Sequence, residues 1–217
     1  MSKKTKVSNF TIEPVDRKVI QSFVHKWHYS HDTNGVQQKQ CFALFDDMRM
    51  IGAMIYAIPS MKSTAAKYNP DNPDRCWELR RLCCIDDTPT NTESYFIGQT
   101  LRWLRQNTDI EVIVSYADLE QGHEGVIYKA SNFHLLGQSG GGRNLIVDGK
   151  KFHARSMNQK EKPYGRDLKR RWKNKEGHKF WDSKQDMYFV DTKPKNIYVY
   201  YLNKKVKKKY LYVDSKN

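Results

Sequence analysis

Two adjacent arginines, Arg80 and Arg81, interrupt an otherwise apolar run from Trp77 to Ile85. A charge in such a run must be paired or face a cleft, because an unpaired buried charge is very costly. In a strand the two point to opposite faces, so one can serve structure and the other a site. An ion pair with Glu78 or Asp118 would satisfy either. Asp118 follows the β-branched run Glu111 to Tyr116, at the carboxyl edge where α/β folds place ligands. There it is a candidate general base, or simply the cap of a turn. Ser94 falls in the first turn of a helix, where free backbone N–H groups favour an anion, unless it only caps that helix. Tyr128 offers a phenol for proton transfer or packs in a core. His28, Tyr29 and His31 cluster where the first helix ends, and could supply a base, a metal ligand or local structure. Together these residues suit proton transfer beside a held anion or carbonyl.

Several chemistries lack their signatures. There is no Walker A loop, and no G-x-G-x-x-G follows a strand. Asn69-Pro70-Asp71-Asn72-Pro73 has no aromatic where an amino-methyltransferase motif needs one, and the zinc-deaminase pattern is missing. Cys41, Cys76, Cys83 and Cys84 have no C-x-x-C spacing, so reduced cysteines in a cytoplasmic protein are expected. No apolar run approaches the ~20 residues that span a bilayer, and no membrane partner is expected.

The elements that must position these residues alternate. Pro14 opens a helix in which Val15, Val19, Phe23 and Trp27 share one side. Strands over Cys41 to Phe45 and Ile51 to Ile58 flank a turn at Asp46 to Arg49. Residues 59–75, with three prolines, read as a long functional loop. Trp77 to Ile85 is a buried strand. Thr90 to Glu93 is a capping box for a helix carrying Ile97, Leu101 and Leu104. A strand over Glu111 to Tyr116 follows, then a short helix within Gly122 to Phe133 and strands around Leu135 and Leu145 to Val147. Gly140 to Gly142 between them reads as a hairpin tip or finger. Beyond it, Arg166 to Lys175 is a helical candidate and Ile197 to Leu202 a strand candidate. This is an α/β pattern with a central sheet flanked by helices.

Charge is unevenly placed along the 217 residues, whose formal net charge is +14. Residues 1–149 balance 17 Lys/Arg against 17 Asp/Glu, whereas residues 150–217 hold 21 against 7. Such a field attracts a polyanion by counterion release. Interleaved aromatics (Tyr164, Trp172, Phe180, Trp181, Tyr198, Tyr200, Tyr201, Tyr210) could stack on bases or brace the fold. The expected division is a disordered tail at 1–8, a catalytic core at 9–150 and a basic DNA-binding extension at 151–217. On that reading loss of residues 160–217 abolishes duplex DNA binding at moderate salt if the core stays folded. Double-stranded DNA is the expected partner. The candidate phosphate contacts are Arg143, Lys169, Arg170, Arg171, Lys173, Lys175, Lys204, Lys205, Lys207, Lys208 and Lys209.

Five segments carry a resemblance: Trp27-His28-Tyr29-Ser30, Glu78-Leu79-Arg80-Arg81-Leu82, Thr88 to Ser94, Ser115-Tyr116-Ala117-Asp118, and Ile127 to Phe133. Their order and spacing resemble the Mom family of phage DNA-modification proteins. The resemblance implies a GNAT-like mixed β-sheet. It also implies conversion of the adenine N6 amine in DNA to a carbamoylmethyl (glycinamide) derivative, which shields phage DNA from host restriction. It assigns activity to His28, Tyr29, Arg81, Ser94, Asp118 and Tyr128, and so selects Arg81 over Arg80. On this reading Asp118, or Tyr128 with a lowered pKa, takes the amine proton. The family is associated with iron, for which no ligand set is named here. GNAT enzymes hold coenzyme A on a glycine-rich loop; Asp87 to Ser94 has no glycine and includes Pro89, which argues against acetyl-CoA. The competing readings are an acetyltransferase of a protein or small amine, and a non-enzymatic DNA-binding protein.

Overall fold

A computed structural model describes residues 6–33, 35–158, 163–177 and 187–211. In chain order the first elements are β1 (Thr11–Val15), α1 (Arg17–Trp27), β2 (Gln38–Asp46), β3 (Arg49–Ala57), α2 (Lys62–Tyr68), β4 (Cys76–Cys84) and α3 (Thr92–Asn107). They continue with β5 (Val112–Asp118), α4 (Val126–Ala130), β6 (His134–Gln138), β7 (Arg143–Val147), β8 (Lys150–His153) and α5 (Pro163–Gly177). The last are β9 (Met187–Asp191), β10 (Lys195–Tyr201) and α6 (Lys204–Tyr210).

Strands β1 to β4 form an antiparallel run, β5 joins β4 in parallel, and the seven-stranded order continues through β10 to β6. The architecture is therefore α/β with a mixed central sheet. Strand alternation separates two cores. Phe42, Leu44, Met54, Tyr56 and Leu79 face the α3 residues Phe96, Ile97, Leu101 and Leu104. Cys41, Ala43, Ala53, Ile55 and Cys83 face Ile20 and Val24 of α1. Cys84 packs with the first cluster, so the two neighbouring thiols do point opposite ways. All four cysteines are free, and burial pushes the Cys76 and Cys83 thiols up to about 12.

The chain divides into two compact units. The first comprises residues 1–117, 124–137 and 196–217; the second comprises 118–123 and 138–195. This corrects the expected boundary at 150. Strand β10 lies inside the main sheet, and Val199 and Tyr201 pack with Val112 and Val114 of β5. Loss of residues 160–217 would therefore remove a central strand. In the second unit β7 pairs with β8 and β9, and Leu168 of α5 closes a small core with Leu145, Val147 and Met187.

Other expectations change as well. Of the supposed tail, residues 1–5 lie outside the described residues, and Val7–Asn9 form a 3₁₀ turn. Pro14 sits in β1, an edge strand paired only with β2, where a missing N–H is tolerated; the helix starts after it. Residues 59–75 are not a bare loop but hold α2 and a 3₁₀ turn at Pro73–Arg75. The capping box does not form, because α3 starts after Asn91, which lies in the left-handed region at φ 71°. The triple glycine joins strands of different sheets rather than tipping a hairpin. Thr192 N–H donates to the Gly142 carbonyl at 2.8 Å, and Gly142 N–H donates to Thr192 Oγ1 at 3.0 Å. Among the described residues no helix is long and apolar enough to cross a membrane.

The buried Glu111 carboxylate ties two separate segments to the start of β5. It accepts from Asn69 Nδ2 at 3.0 Å, from Asn203 Nδ2 at 3.1 Å and from Asn72 Nδ2 at 3.4 Å. The Asn203 side chain also caps α6 through its oxygen, which accepts from Lys205 N–H at 2.9 Å. Asn203→Ala removes both bonds at once, so stability should fall by about 1–2 kcal/mol. A denaturant midpoint identical to that of the wild type would show that this anchor contributes nothing.

Candidate active site

Strands β4 and β5 pair over only three residues each, Cys76 to Glu78 with Val112 to Val114. Beyond Glu78 they part, and the Ser115 hydroxyl donates to the Leu79 carbonyl at 3.1 Å. An opening at the carboxyl ends of parallel strands is where α/β folds receive ligands.

A β-bulge aims Arg81 on the β4 side of this opening. Ile55 pairs with Arg81 and Tyr56 with Leu79, so Arg80 is the extra residue. The bulge breaks the simple alternation expected for Arg80 and Arg81. It leaves Leu79 on the α3 face with Tyr56 and puts Arg81 on the α1 face with Ile55. Arg80 takes the structural role: its Nη1 pairs with Glu78 Oε1 at 2.7 Å and also bonds Ser60 Oγ. Ser60 N–H donates to the other oxygen, Glu78 Oε2, at 3.1 Å.

Arg81 is anchored on backbone carbonyls instead. Its Nε donates to Asp32 O at 3.0 Å and its Nη1 to Arg80 O at 2.9 Å. Nη2 makes no hydrogen bond among the described residues. Burial, followed by the nearby Arg80 charge, lowers the Arg81 pKa from its ordinary value; Tyr29, Asp32 and Glu78 act in the opposite direction.

The loop after α1 brings His28 and Tyr29 to the same place. His28 is buried, and its Nδ1 accepts from Ser30 N–H at 3.1 Å, with Ser30 Oγ at 2.8 Å. An accepting Nδ1 assigns the ring proton to Nε2. The Tyr29 ring lies against the imidazole, with centroids 4.3 Å apart, and remains largely exposed. Ser30 Oγ donates to Asp32 O, the carbonyl that also receives Arg81. One small network thus links His28, Ser30, Asp32 and Arg81. On the α1 side, Arg17 holds the Thr33 carbonyl and His31 Nδ1 lies 2.9 Å from His25 O.

Tyr128 reaches this centre from α4. Its buried hydroxyl sits beside Ser115, with Tyr29 and Glu78 close enough to act on its charge. Burial raises its pKa to about 12. This corrects the expectation of a lowered pKa: at neutral pH Tyr128 is a neutral phenol and cannot take a proton as phenolate.

Asp118 and Ser94 are placed differently. Asp118 belongs to the second unit, where Lys195 Nζ pairs with its Oδ2 at 2.5 Å and Glu120 N–H donates to its Oδ1 at 3.1 Å. Capping and ion pairing thus both occur at this carboxylate. Ser94 sits in the first turn of α3 with its hydroxyl donating back to Asn91 O at 3.0 Å. The preceding turn closes on itself, with Thr92 Oγ1 donating to Pro89 O at 2.7 Å.

Sequence reading missed Ser60, Asp32 and Ser115. Ser60 comes from the segment read as loop, Asp32 acts through its carbonyl, and Ser115 matters only because the ladder stops beside it. Among the described residues no three His, Cys, Asp or Glu side chains converge as a metal site.

Several candidate phosphate contacts already have carboxylate partners: Arg143 with Asp191, Arg170 with Asp167, Arg171 with Asp148 and Lys209 with Asp71. Lys169, Lys173, Lys204, Lys205 and Lys208 are exposed, whereas Lys207 is half-buried. The Lys175 side chain, Phe180 and Trp181 lie outside the described residues. Tyr198 and Tyr201 are core residues rather than stacking platforms, and Trp172 packs edge-on against Phe189.

Known proteins share parts of this chain. Methylcarbamoylase mom of Escherichia phage Mu is 38% identical over 82 residues, covering 37% of this chain and 34% of that protein. The aligned stretch thus spans about a third of that relative's length. Among solved structures, spermidine/spermine N-acetyltransferase SpeG from Vibrio cholerae, in complex with manganese ions, is 10% identical with a TM-score of 0.48. The match covers 93% of this chain and 98% of that one. An IAA acetyltransferase from Bacillus cereus is 8% identical with a TM-score of 0.48, covering 88% and 99% of the two chains. The model of the Mom protein family matches residues 9–217, through both units, and the chain belongs to that family.

Proposed function

We propose that this protein is a DNA-modifying transferase that carbamoylmethylates the N6 amine of adenine, acting on phage DNA in the host cytoplasm. The observation that carries the reading is the Mom family match over residues 9–217, together with Tyr29 lying near enough to Arg81 and to Tyr128 to act on the charge of each.

Adenine N6 is a weak nucleophile because its lone pair is delocalised into the ring. The base must first leave the duplex stack, at a cost of a few kcal/mol. The exposed Tyr29 ring, braced by His28, is placed to stack on an extruded base. A bond then forms between N6 and the methylene carbon as that carbon's bond to the donor's leaving group breaks. Nη2 of Arg81 is the donor aimed at a carbonyl or anionic oxygen of the transferred group. The Tyr128 hydroxyl, neutral at working pH, supplies a second hydrogen bond. The family resemblance nominates Asp118 as the acceptor of the proton leaving N6; its Oδ2 is paired with Lys195. Ser94 is proposed to hold the donor at the start of α3.

Mass spectrometry of nucleosides from DNA of cells expressing the protein tests the reading directly. A modified adenosine heavier by one carbamoylmethyl group is expected, and unmodified DNA would refute the assignment. Arg81→Lys keeps the charge but loses the two carbonyl anchors that aim the guanidinium. Its modification rate should drop about 100-fold with DNA affinity unchanged. A wild-type rate would remove Arg81 from the site.

Tyr128 gives a pH test. Its pKa is raised, so the fold favours the protonated phenol. The associated stability is present below the unfolded tyrosine value and is lost as pH rises through about 12. The ultraviolet tyrosinate signal that distinguishes wild type from Tyr128→Phe should therefore appear only near pH 12. A signal near neutrality would restore Tyr128 as a base.

A further inference from the structure

The first unit carries a second concave surface at the other end of α3. A cleft of roughly 450 Å³ is lined by Arg105, Asn132, His134, Tyr200, Lys204 and Lys207, together with the last residues of β10. Arg105 lies eleven residues beyond Ser94 on α3, about 16 Å along the helix axis. Leu202 N–H donates to the Glu111 carbonyl, which puts the cleft where β5 begins, at the end of the strand opposite to Ser115. It is therefore separate from the β4–β5 opening.

The lining has one sign of charge. Arg105, Lys204 and Lys207 contribute three cations, and among the described residues no carboxylate lines the cleft. None of the three makes an ion pair among the described residues. Arg105 Nη2 donates to Tyr200 Oη at 3.0 Å, so the guanidinium and the phenol ring are held together.

Helix α6 shows the same bias. It carries Lys204, Lys205, Lys207, Lys208 and Lys209 within Lys204–Tyr210. Like charges three and four residues apart destabilise a helix by a few tenths of a kcal/mol per pair. Val206 and Tyr210 offset this by packing inward, and Asn203 caps the start. Lys209 turns away to Asp71, while Lys204 and Lys207 turn to the cleft. Burial, then Lys207, lowers the His134 pKa, leaving a neutral ring that can donate and accept.

We infer that this cleft is a phosphodiester subsite holding a flanking nucleotide of DNA, with its phosphate between Arg105, Lys204 and Lys207 and its base against Tyr200. The inference rests on the DNA-acting reading above and adds a place on the folded core where the strand is gripped. A small acidic metabolite fits less well, because the lysine row continues past the cleft along α6 as a track. The aromatic floor suits stacking on any base, so the subsite would position the strand without reading its sequence.

The test is the salt dependence of duplex DNA binding by the full chain and by the Lys204→Gln/Lys207→Gln variant. Two lost phosphate contacts should lower the log–log slope by about 1.8, at about 0.9 per contact. With 5-iodouracil placed at successive positions, a photocrosslink to Tyr200 is expected outside the modified adenine. An unchanged slope together with no Tyr200 crosslink would overturn the subsite while leaving the DNA reading intact. Wild-type protein that shows no salt-dependent DNA binding at all would overturn both. If polyglutamate displaces the DNA as efficiently as unlabelled duplex, the cleft belongs to acidic peptide and the inference also fails.

Discussion

The early parting of β4 from β5 is the constraint on which the site depends. A parallel pair that kept its ladder beyond Glu78 and Val114 would satisfy its own carbonyls and leave no opening. Because the ladder stops, the Leu79 carbonyl is taken by Ser115, and the phenol of Tyr128 comes to lie beside that serine. The bulge at Arg80 is the matching device on the other strand. It absorbs one residue and rotates Arg81 to the α1 face, where the loop after α1 supplies the Asp32 carbonyl to hold it. Shifting the bulge by one residue would exchange the roles of the two arginines.

Parted strands are costly unless their ends are held elsewhere, and β10 and Glu111 do this. Strand β10 pairs along the outer edge of β5, and the Glu111 carboxylate collects amides from Asn69, Asn72 and Asn203. A buried carboxylate with several donors has its desolvation offset. The sheet is therefore fixed at the start of β5 and free to open at its end. The most basic part of the chain consequently supplies a structural strand, and its charges are carried on the folded unit itself.

Local pattern made much of this legible before any coordinates. The hairpin of β2 and β3 follows from alternation around Asp46 to Arg49, and α3 from the stripe of Ile97, Leu101 and Leu104. Arg81, Tyr29 and Tyr128 were picked out by a family resemblance, while strand alternation could not choose between Arg80 and Arg81. The failures are non-local or fall on single residues. Pro14 suits a helix start in sequence and an edge strand in the fold, and only the pairing with β2 decides between them. A bulge leaves no composition signal. The placement of β10 beside β5 joins residues some eighty positions apart, beyond the reach of any local period. Lys195, drawn from that same distance, gives Asp118 its partner.

Proton affinities sort the polar groups around the opening into roles that composition could not. Burial is the largest cause that raises Tyr128; Tyr29, Glu78 and Tyr198 add to it, and the hydrogen bond with Ser115 opposes it. Glu78 is no free base either, because Arg80 and Ser60 hold both of its oxygens. His28 presents a protonated Nε2, fixed by the Ser30 N–H on its other nitrogen. Around the opening Arg81 supplies a cation anchored on two carbonyls, and Tyr128 a neutral phenol. Such a centre stabilises negative charge that develops on a bound oxygen.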